Sequence, residues 1–437
     1  MTASGSVGPR QGDDGSHIAG KLRRRDFRFF WAGQTVSELG SQVSQLAVPL
    51  IAIRALQATT FEVGVLSAAG AAAPLLFALP AGVWVDRLPR RPVMIASDIG
   101  RLLVLGSVTV AASLGVLGMP QLYAAAFLAG ALTIFFDVAY QSYLPALVGR
   151  EHLVHGNARL AASAQVAGVA GPSLAGVLVQ AIGGPYAVAV DAASFLVSAG
   201  SLGAIRAQDV TPAAPRGDRQ SLRADVAQGL RFVAGNPVFR LLMTATAIAN
   251  FFGSASLAVI LVFLVRVLHQ PPAVIGLLSA AGSVGGVLGA MFTSRIGRWL
   301  GHGRSMIAGS VVAACGTLLW PLSEAGTGLA VYGLGWFLVG LGLVLYNVNL
   351  FSFRQALCPD RLLGRVTATM RWVVGGTVPL GSLLGGALGA AIGVRATLWV
   401  GGAGTTLAVF CLLASRIGRM RELPGDPEDD PGGVPGR

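Results

Sequence analysis

Charge is scarce in this chain. Only 12% of its 437 residues are Asp, Glu, Lys or Arg, where a soluble domain carries about 25%. That deficit excludes an ordinary soluble protein built around one core. Lysine is almost absent: Lys21 is the single one, so the net charge of +12 rests on arginine. The arginines stand at the ends of apolar runs and not on a soluble face, which argues against a nucleic-acid partner. Three cysteines, Cys315, Cys358 and Cys411, are too far apart for a disulfide framework or a metal spacing. The five histidines show no ligand pattern. With no nucleophile constellation either, the expectation is no enzyme, no metal and no cofactor. No short apolar stretch with a cleavage site follows the polar start, so the first apolar run is expected to remain as an anchor.

What the chain has is apolar length. Hydrophobic residues make up 53% of it, and a bilayer core needs about 20 in succession. Runs of that length fall at 27–53, 61–85, 92–117, 120–146, 157–182 and 184–206. After a gap come 238–266, 273–297, 304–323, 326–353, 365–393 and 395–416. The expected fold class is an all-α membrane protein of twelve spans in two six-helix bundles. The bundles should cover 21–206 and 238–416. Residues 1–20 and 417–437 are rich in Gly, Ser, Asp or Pro and are expected to be disordered. Between the bundles, 207–237 is polar, and Leu222 to Val233 has the spacing of an amphipathic helix lying on the inner membrane surface.

Arginine placement orients the spans. With the N-terminus in the cytoplasm, the inner loops hold Arg87, Arg90 and Arg91, then Arg150, Arg206 through Arg240, Arg295, Arg298 and Arg304. Arg354, Arg361 and Arg365, then Arg416, Arg419 and Arg421, complete the inner set. Outer loops offer only Arg54, Arg266 and Arg395. Positive loops stay inside, so both termini are expected in the cytoplasm of a multi-pass plasma-membrane protein.

Polar residues at membrane depth are costly and usually face a cavity or a partner. The first span carries Gln34, Ser37, Glu38, Ser41, Gln42 and Gln45, and positions 34, 38, 41 and 45 share one helical face. The fourth has Thr133, Asp137, Tyr140 and Gln141. The seventh has Thr246, Asn250 and Ser254, and the tenth Tyr346, Asn347 and Asn349. These stripes should line water or substrate. Glu38 and Asp137 are the candidates for proton coupling, because withdrawal from water favours the neutral form of a carboxyl. Asp191 is expected to be structural. Arg371 is counted among the pathway residues, where it would meet an anionic substrate, with a carboxylate pair or snorkelling toward the cytoplasm as the favoured expectation. Gly381, Gly385, Gly389 and Gly393 form a small-residue packing face.

The loop from Gly82 to Pro92 joins the second and third spans. Its pattern Gly-x-x-x-Asp-Arg-x-x-Arg-Arg is set by Gly82, Asp86, Arg87, Arg90 and Arg91. It resembles the inter-helix signature of major facilitator superfamily transporters. Ala290 to Arg298 repeats it loosely in the second half, with Ser294 at the Asp position, and Arg159 to Gly176 lines up with Arg365 to Gly385. Gly168, Gly171, Pro172 and Gly176 in the fifth span are similar to that superfamily's antiporter signature, with Ala175 in place of a Gly. Phe136 to Gln141, Leu144-Pro145, Gly229 to Phe232, Asn236-Pro237, Leu363 to Val366 and Pro379 to Gly381 resemble the macrolide-efflux and siderophore-exporter branch. The arginine that drug exporters often carry in the fourth span is missing here.

The resemblance spans about residues 22–420 and implies several expectations. Spans one, four, seven and ten would line a central cavity. The protein would export a small amphipathic molecule by proton antiport as a monomer in the lipid bilayer, with alternating access. Asp86 and its arginines, joined by Asp98 and Arg101, would form a charged gate against helix ends of the other half. An uptake symporter or facilitator of the same fold is one alternative. A non-transporting membrane sensor is another.

Overall fold

The computed structural model describes residues 13–85, 87–206 and 222–414. The expectations for Asp86, for 207–221 and for the tail from 415 lie outside the described residues. Six helices form the first half: α1 (Asp13–Leu50), α2 (Thr60–Val85), α3 (Arg90–Ser113), α4 (Met119–Val148), α5 (Leu153–Ile182) and α6 (Gly184–Ala204). A connecting helix, α7, covers Leu222–Gly235. The second half comprises α8 (Pro237–Val262), α9 (Pro272–Leu300), α10 (His302–Leu319), α11 (Leu329–Leu357), α12 (Asp360–Ala391) and α13 (Val394–Leu413). Among the described residues, twelve helices are long and apolar enough to cross a bilayer. No more than 50% of any of these spans is buried within the protein, so their apolar outer surfaces are left for lipid. The expected disorder over 1–20 is corrected in its second part, because α1 already begins at Asp13.

Local chemistry sets the helix ends. Thr59 and Glu62 form a reciprocal cap at the start of α2. The Thr59 N–H donates to Glu62 Oε2 at 2.7 Å, and the Glu62 N–H donates to Thr59 Oγ1 at 3.2 Å. Asn236 Oδ1 accepts from the N–H groups of Val238 and Phe239, with Pro237 in the first turn of α8. The tight corner between α5 and α6 turns at Gly183 (φ 84), and its counterpart between α12 and α13 turns at Gly393 (φ 88). Side chains rarely tolerate that backbone region.

The two bundles join at one end and part at the other. The joined end, here the far end, holds the connections 56–59, 114–118, 183, 268–271 and 392–393. One buried apolar cluster there draws on both halves, from Val43, Leu50 and Ile51 to Phe263, Trp320 and Leu398. At the near end, the buried clusters each belong to one half. Phe27, Phe30, Met94, Tyr143 and Leu147 form one. Leu242, Met306, Tyr346 and Phe353 form another.

Most of the inter-bundle contact lies between α2 and α12 and between α5 and α9, and α2 also touches α8. The two main contacts depend on glycine. A Cβ on Gly64 would stand 2.6 Å from the Gly386 Cα, and one on Gly176 would collide with the Pro272 carbonyl. Three of the four glycines expected to form a packing face on the eleventh span do so, while Gly393 lies past the helix end, at the corner, with open space around it. Gly381, Gly385 and Gly389 meet Phe251, Ala255 and Val259 of α8. The connecting helix packs on α8 and α12, with Val233 buried and Gly229 pressed against Arg365 and Thr369. Val233 and Phe232 thus dock on the second bundle, while Leu230 is exposed.

Candidate functional site

Glu38 sits near the middle of α1, and Asp137 lies in the second half of α4. Both carboxylates border one cavity of about 180 Å³, lined also by Gln34, Thr35, Phe136, Tyr140, Leu160, Ser163 and Ala164. Gln34 and Glu38 of α1 thus meet Asp137 and Tyr140 of α4 there. The Tyr140 ring is fixed by stacking on Phe30, with centroids 5.5 Å apart. A second, mainly apolar space of about 530 Å³ adjoins it and shares Thr35 and Ser163, with Trp31, Leu39, Arg159 and Val166 on its walls. Trp31 Nε1 donates to Ser163 Oγ at 2.8 Å and ties α1 to α5 there. Gln45 and Gln141 are exposed and Ser41 is half-buried. None of the three borders the carboxylate cavity.

Behind the cavity lies a charged cluster. Arg101 of α3 pairs with Asp98 one turn earlier, and both are buried. Its guanidinium lies 4.6 Å from the ring centre of Phe136 and 4.2 Å from that of Phe195, an arrangement that favours a cation. Thr133 Oγ1 is 3.5 Å from Arg101 Nη1. Asp137 and Asp191 are both within electrostatic reach of the same guanidinium, and Glu38 is within reach of Asp137. Asp191 accepts from Ser194 Oγ at 3.2 Å. Gly40 makes room for it, since a Cβ there would stand 2.6 Å from Asp191 Oδ1. Asp191 therefore has the structural setting expected of it.

This corrects the placement of Asp98 and Arg101. They were expected at the mouth of the third span, beside the signature loop. The helix starts at Arg90, which puts them about 12 and 16 Å along it. There they serve the interior of the first bundle. Arg91 of the signature loop bonds within its own half. Arg91 donates to the carbonyls of Leu202 and Gly203 at 2.8 and 2.7 Å, closing the last turn of α6. Arg87 is exposed and Arg90 half-buried, and Gly82 has open space around it.

The second bundle is less uniform than its sequence pattern. Thr246 Oγ1 and the Tyr346 hydroxyl lie 2.6 Å apart and link α8 to α11. Asn250 Nδ2 donates to the Thr246 carbonyl, and Asn347 is exposed. Ser254, Tyr346 and Asn349 are corrections: all three are sealed in helix contacts. Asn349 Oδ1 lies 3.0 Å from His302 Nδ1 of α10. Helix α11 carries Asn347 and Asn349 on different faces, a distinction that a two-residue spacing already contains. Arg371 is exposed and has no carboxylate partner among the described residues. Its charged neighbour is Arg354. The carboxylate cavity draws on α1, α4 and α5 and includes no residue of α8 or α11.

The fifth-helix signature lies on two interfaces. Gly171 packs on Gln42 of α1, where a Cβ would stand 2.6 Å from the Gln42 Cβ. Gly168, Pro172 and Gly176 face α9. The Gly168 carbonyl accepts from Ser283 Oγ at 2.5 Å, and the Pro172 carbonyl fills the space over Gly276.

Two six-helix bundles, joined at one end around a polar interior, define a major facilitator transporter. A family model described as a transmembrane secretion effector matches residues 17–431, and the chain belongs to that family. It is 26% identical over 393 residues to the multidrug efflux pump Tap of Mycolicibacterium fortuitum, covering 88% of this chain and 93% of that one. It is 25% identical over 431 residues to the enterobactin exporter EntS of Citrobacter koseri, covering 93% and 95%. The crystal structure of a bacterial homologue of the iron transporter ferroportin, in an inward-facing state, superposes with a TM-score of 0.74. That match has 17% identity and covers 90% of this chain and 98% of that one. The chain is thus a multi-pass transporter of the efflux type within the major facilitator superfamily.

Proposed function

We propose that this protein exports a small amphipathic molecule from the cell by proton antiport with alternating access. The observation that carries the reading is the shared cavity of Glu38 and Asp137. Two carboxylates at membrane depth, open to a space beside an apolar crevice, can exchange a proton for a substrate. The crevice along Trp31 and Val166 suits an apolar body, and Gln34 and Tyr140 offer hydrogen bonds to a polar end. The two bundles are closed at the far end, so the proposal takes this as one of two access states. With both termini in the cytoplasm, as the arginine distribution favours, the open end faces inward and is ready to load. Asp86, Arg87, Arg90 and Arg91 would contact the other half in the opposite state, when the near end closes.

The test uses proteoliposomes with ethidium, erythromycin and a catecholate siderophore as probes. Export of at least one probe should run under a proton gradient and stop when that gradient is collapsed. Flux that ignores the gradient would sink the antiport reading. Absence of flux for every probe, with the Glu38→Gln and Asp137→Asn variants indistinguishable from the parent in cell survival across a broad compound panel, would favour the sensor instead.

A further inference from the structure

The three arginines of the far end, Arg54, Arg266 and Arg395, run against the charge pattern of the chain. Two of them do the same thing in opposite directions. Helix α1 ends in a π-helical turn at Ile51–Ala55, and α8 ends in one at Phe263–Val267. Each turn carries its arginine at the fourth position. Each is followed by a leucine, Leu56 or Leu268, and then by a residue with positive φ: Gln57 (50°) and His269 (52°).

The backbone bonds match pair by pair. Leu56 N–H donates to Ile51 O at 3.1 Å, and Leu268 N–H to Phe263 O at 3.0 Å. Ala58 N–H donates to Ala52 O, and Gln270 N–H to Leu264 O, both at 2.9 Å. Then the two halves exchange bonds. Arg54 Nη2 donates to the Gln270 carbonyl at 2.7 Å, and Arg266 Nη2 donates to the Ala58 carbonyl at 2.6 Å. Each acceptor stands four residues after the other arginine.

From this reciprocity we propose that Arg54 and Arg266 form a two-way clasp that latches the far ends of the bundles, and that releasing both is the step that opens this end. The inference rests on the alternating-access reading above. Left-handed backbone at a residue other than glycine is unfavourable and persists where the surroundings impose it. Here it turns the chain so that the next carbonyl points across to the other bundle. Charged donors make the stronger hydrogen bonds, and π turns inside helices often mark functional positions. The acceptors are peptide carbonyls, so no acid in the clasp can be neutralised by a proton. Protonation of the cavity carboxylates must therefore act on the clasp through bundle movement and not at the clasp itself. Arg395 reinforces one side. It lies over the Phe263 ring, where the second π turn begins, and donates to the Ser323 carbonyl. Beneath the clasp the same symmetry continues, with Gly64 against Gly386 and Gly276 against Pro172 and Gly176.

The test measures distances in the full chain in nanodiscs by single-molecule energy transfer, with Cys315, Cys358 and Cys411 replaced by Ala. One label pair, Val116→Cys and Thr327→Cys, spans the far end. Another, Val154→Cys and Trp299→Cys, spans the near end. In Arg54→Ala and in Arg266→Ala the far-end-open fraction should rise about tenfold, and in the double variant further still. Unchanged far-end distances in the double variant would overturn the clasp. If the Ala variants do not assemble, Arg54→Lys and Arg266→Lys, which keep the charge but lose the planar fork, should still widen the far end, and parental distances in both would overturn it. A far end that widens while the near end stays open upholds the clasp but contradicts alternating access, so the two readings fail separately.

Discussion

Glu38 of α1 and Asp137 of α4 border the same cavity, each open to it, in company with Gln34 and Tyr140. Helices α1 and α4 bring them together from positions a hundred residues apart in the chain. Neutralising either should leave the fold intact, because neither is locked in packing. Glu38→Gln and Asp137→Asn should each slow gradient-driven export about tenfold or more, the effect of ~1.4 kcal/mol on the affected step. Flux in proteoliposomes at matched protein content checks this.

Arg101 is a different case. It is the counter-ion of buried Asp98 and lies within reach of Asp137 and Asp191. Arg101→Met should destabilise the protein by about 3–5 kcal/mol, since it strands a buried charge. Adding Asp98→Asn should recover part of the loss. Thermal melting in detergent gives the comparison, and a single variant as stable as the parent would contradict the pairing.

Two asparagines on α11 should separate stability from transport. Asn349 is buried against His302, so Asn349→Ala should cost about 1–3 kcal/mol and lower the Tm. Exposed Asn347 has no such bond among the described residues. Asn347→Ala should keep the Tm and change probe flux or its concentration dependence. Both quantities come from the same purified preparations.

Glycines at the inter-bundle contact should respond in matched pairs. Gly64→Val and Gly276→Val each place a side chain where backbone of the other half lies. Each should prevent far-end closure and reduce export at least about tenfold, the effect of ~1.4 kcal/mol. Far-end label distances and vesicle flux measured on the same variants would show it.

Arg91→Ala removes two bonds to the end of α6. The expected loss is about 1.5–3 kcal/mol in melting experiments, with the inter-bundle distances of the resting state unchanged.

The fold was readable because the bilayer imposes a single strong demand. A run of about 20 apolar residues has one use, and all twelve runs recur as helices within a few residues of the expected ends. Glu38 and Asp137 were readable for the converse reason: carboxylates within such runs need water or a partner. The partners of charged residues were harder to read. The run from 92 already set Asp98 and Arg101 inside the third span, but their nearness in sequence to the signature loop did not reveal that they pair with each other in the bundle interior. The facing of single residues was lost too. On α11 three polar residues in a short stretch fit more than one helical face, and on α8 the steps of four align Ser254 with Asn250 without showing which neighbour covers it. The clasp left a trace that apolar periodicity does not capture. Arg54-x-Leu56 with Gly64 and Arg266-x-Leu268 with Gly276 repeat at one common offset.

Proton release on substrate addition tests the central proposal most directly. Purified protein in weakly buffered detergent is mixed with whichever probe it exports, and the pH is followed with a dye. Parent protein should release protons on binding, and the Glu38→Gln/Asp137→Asn double variant should release none while still folded. Equal proton release from parent and double variant would contradict the account.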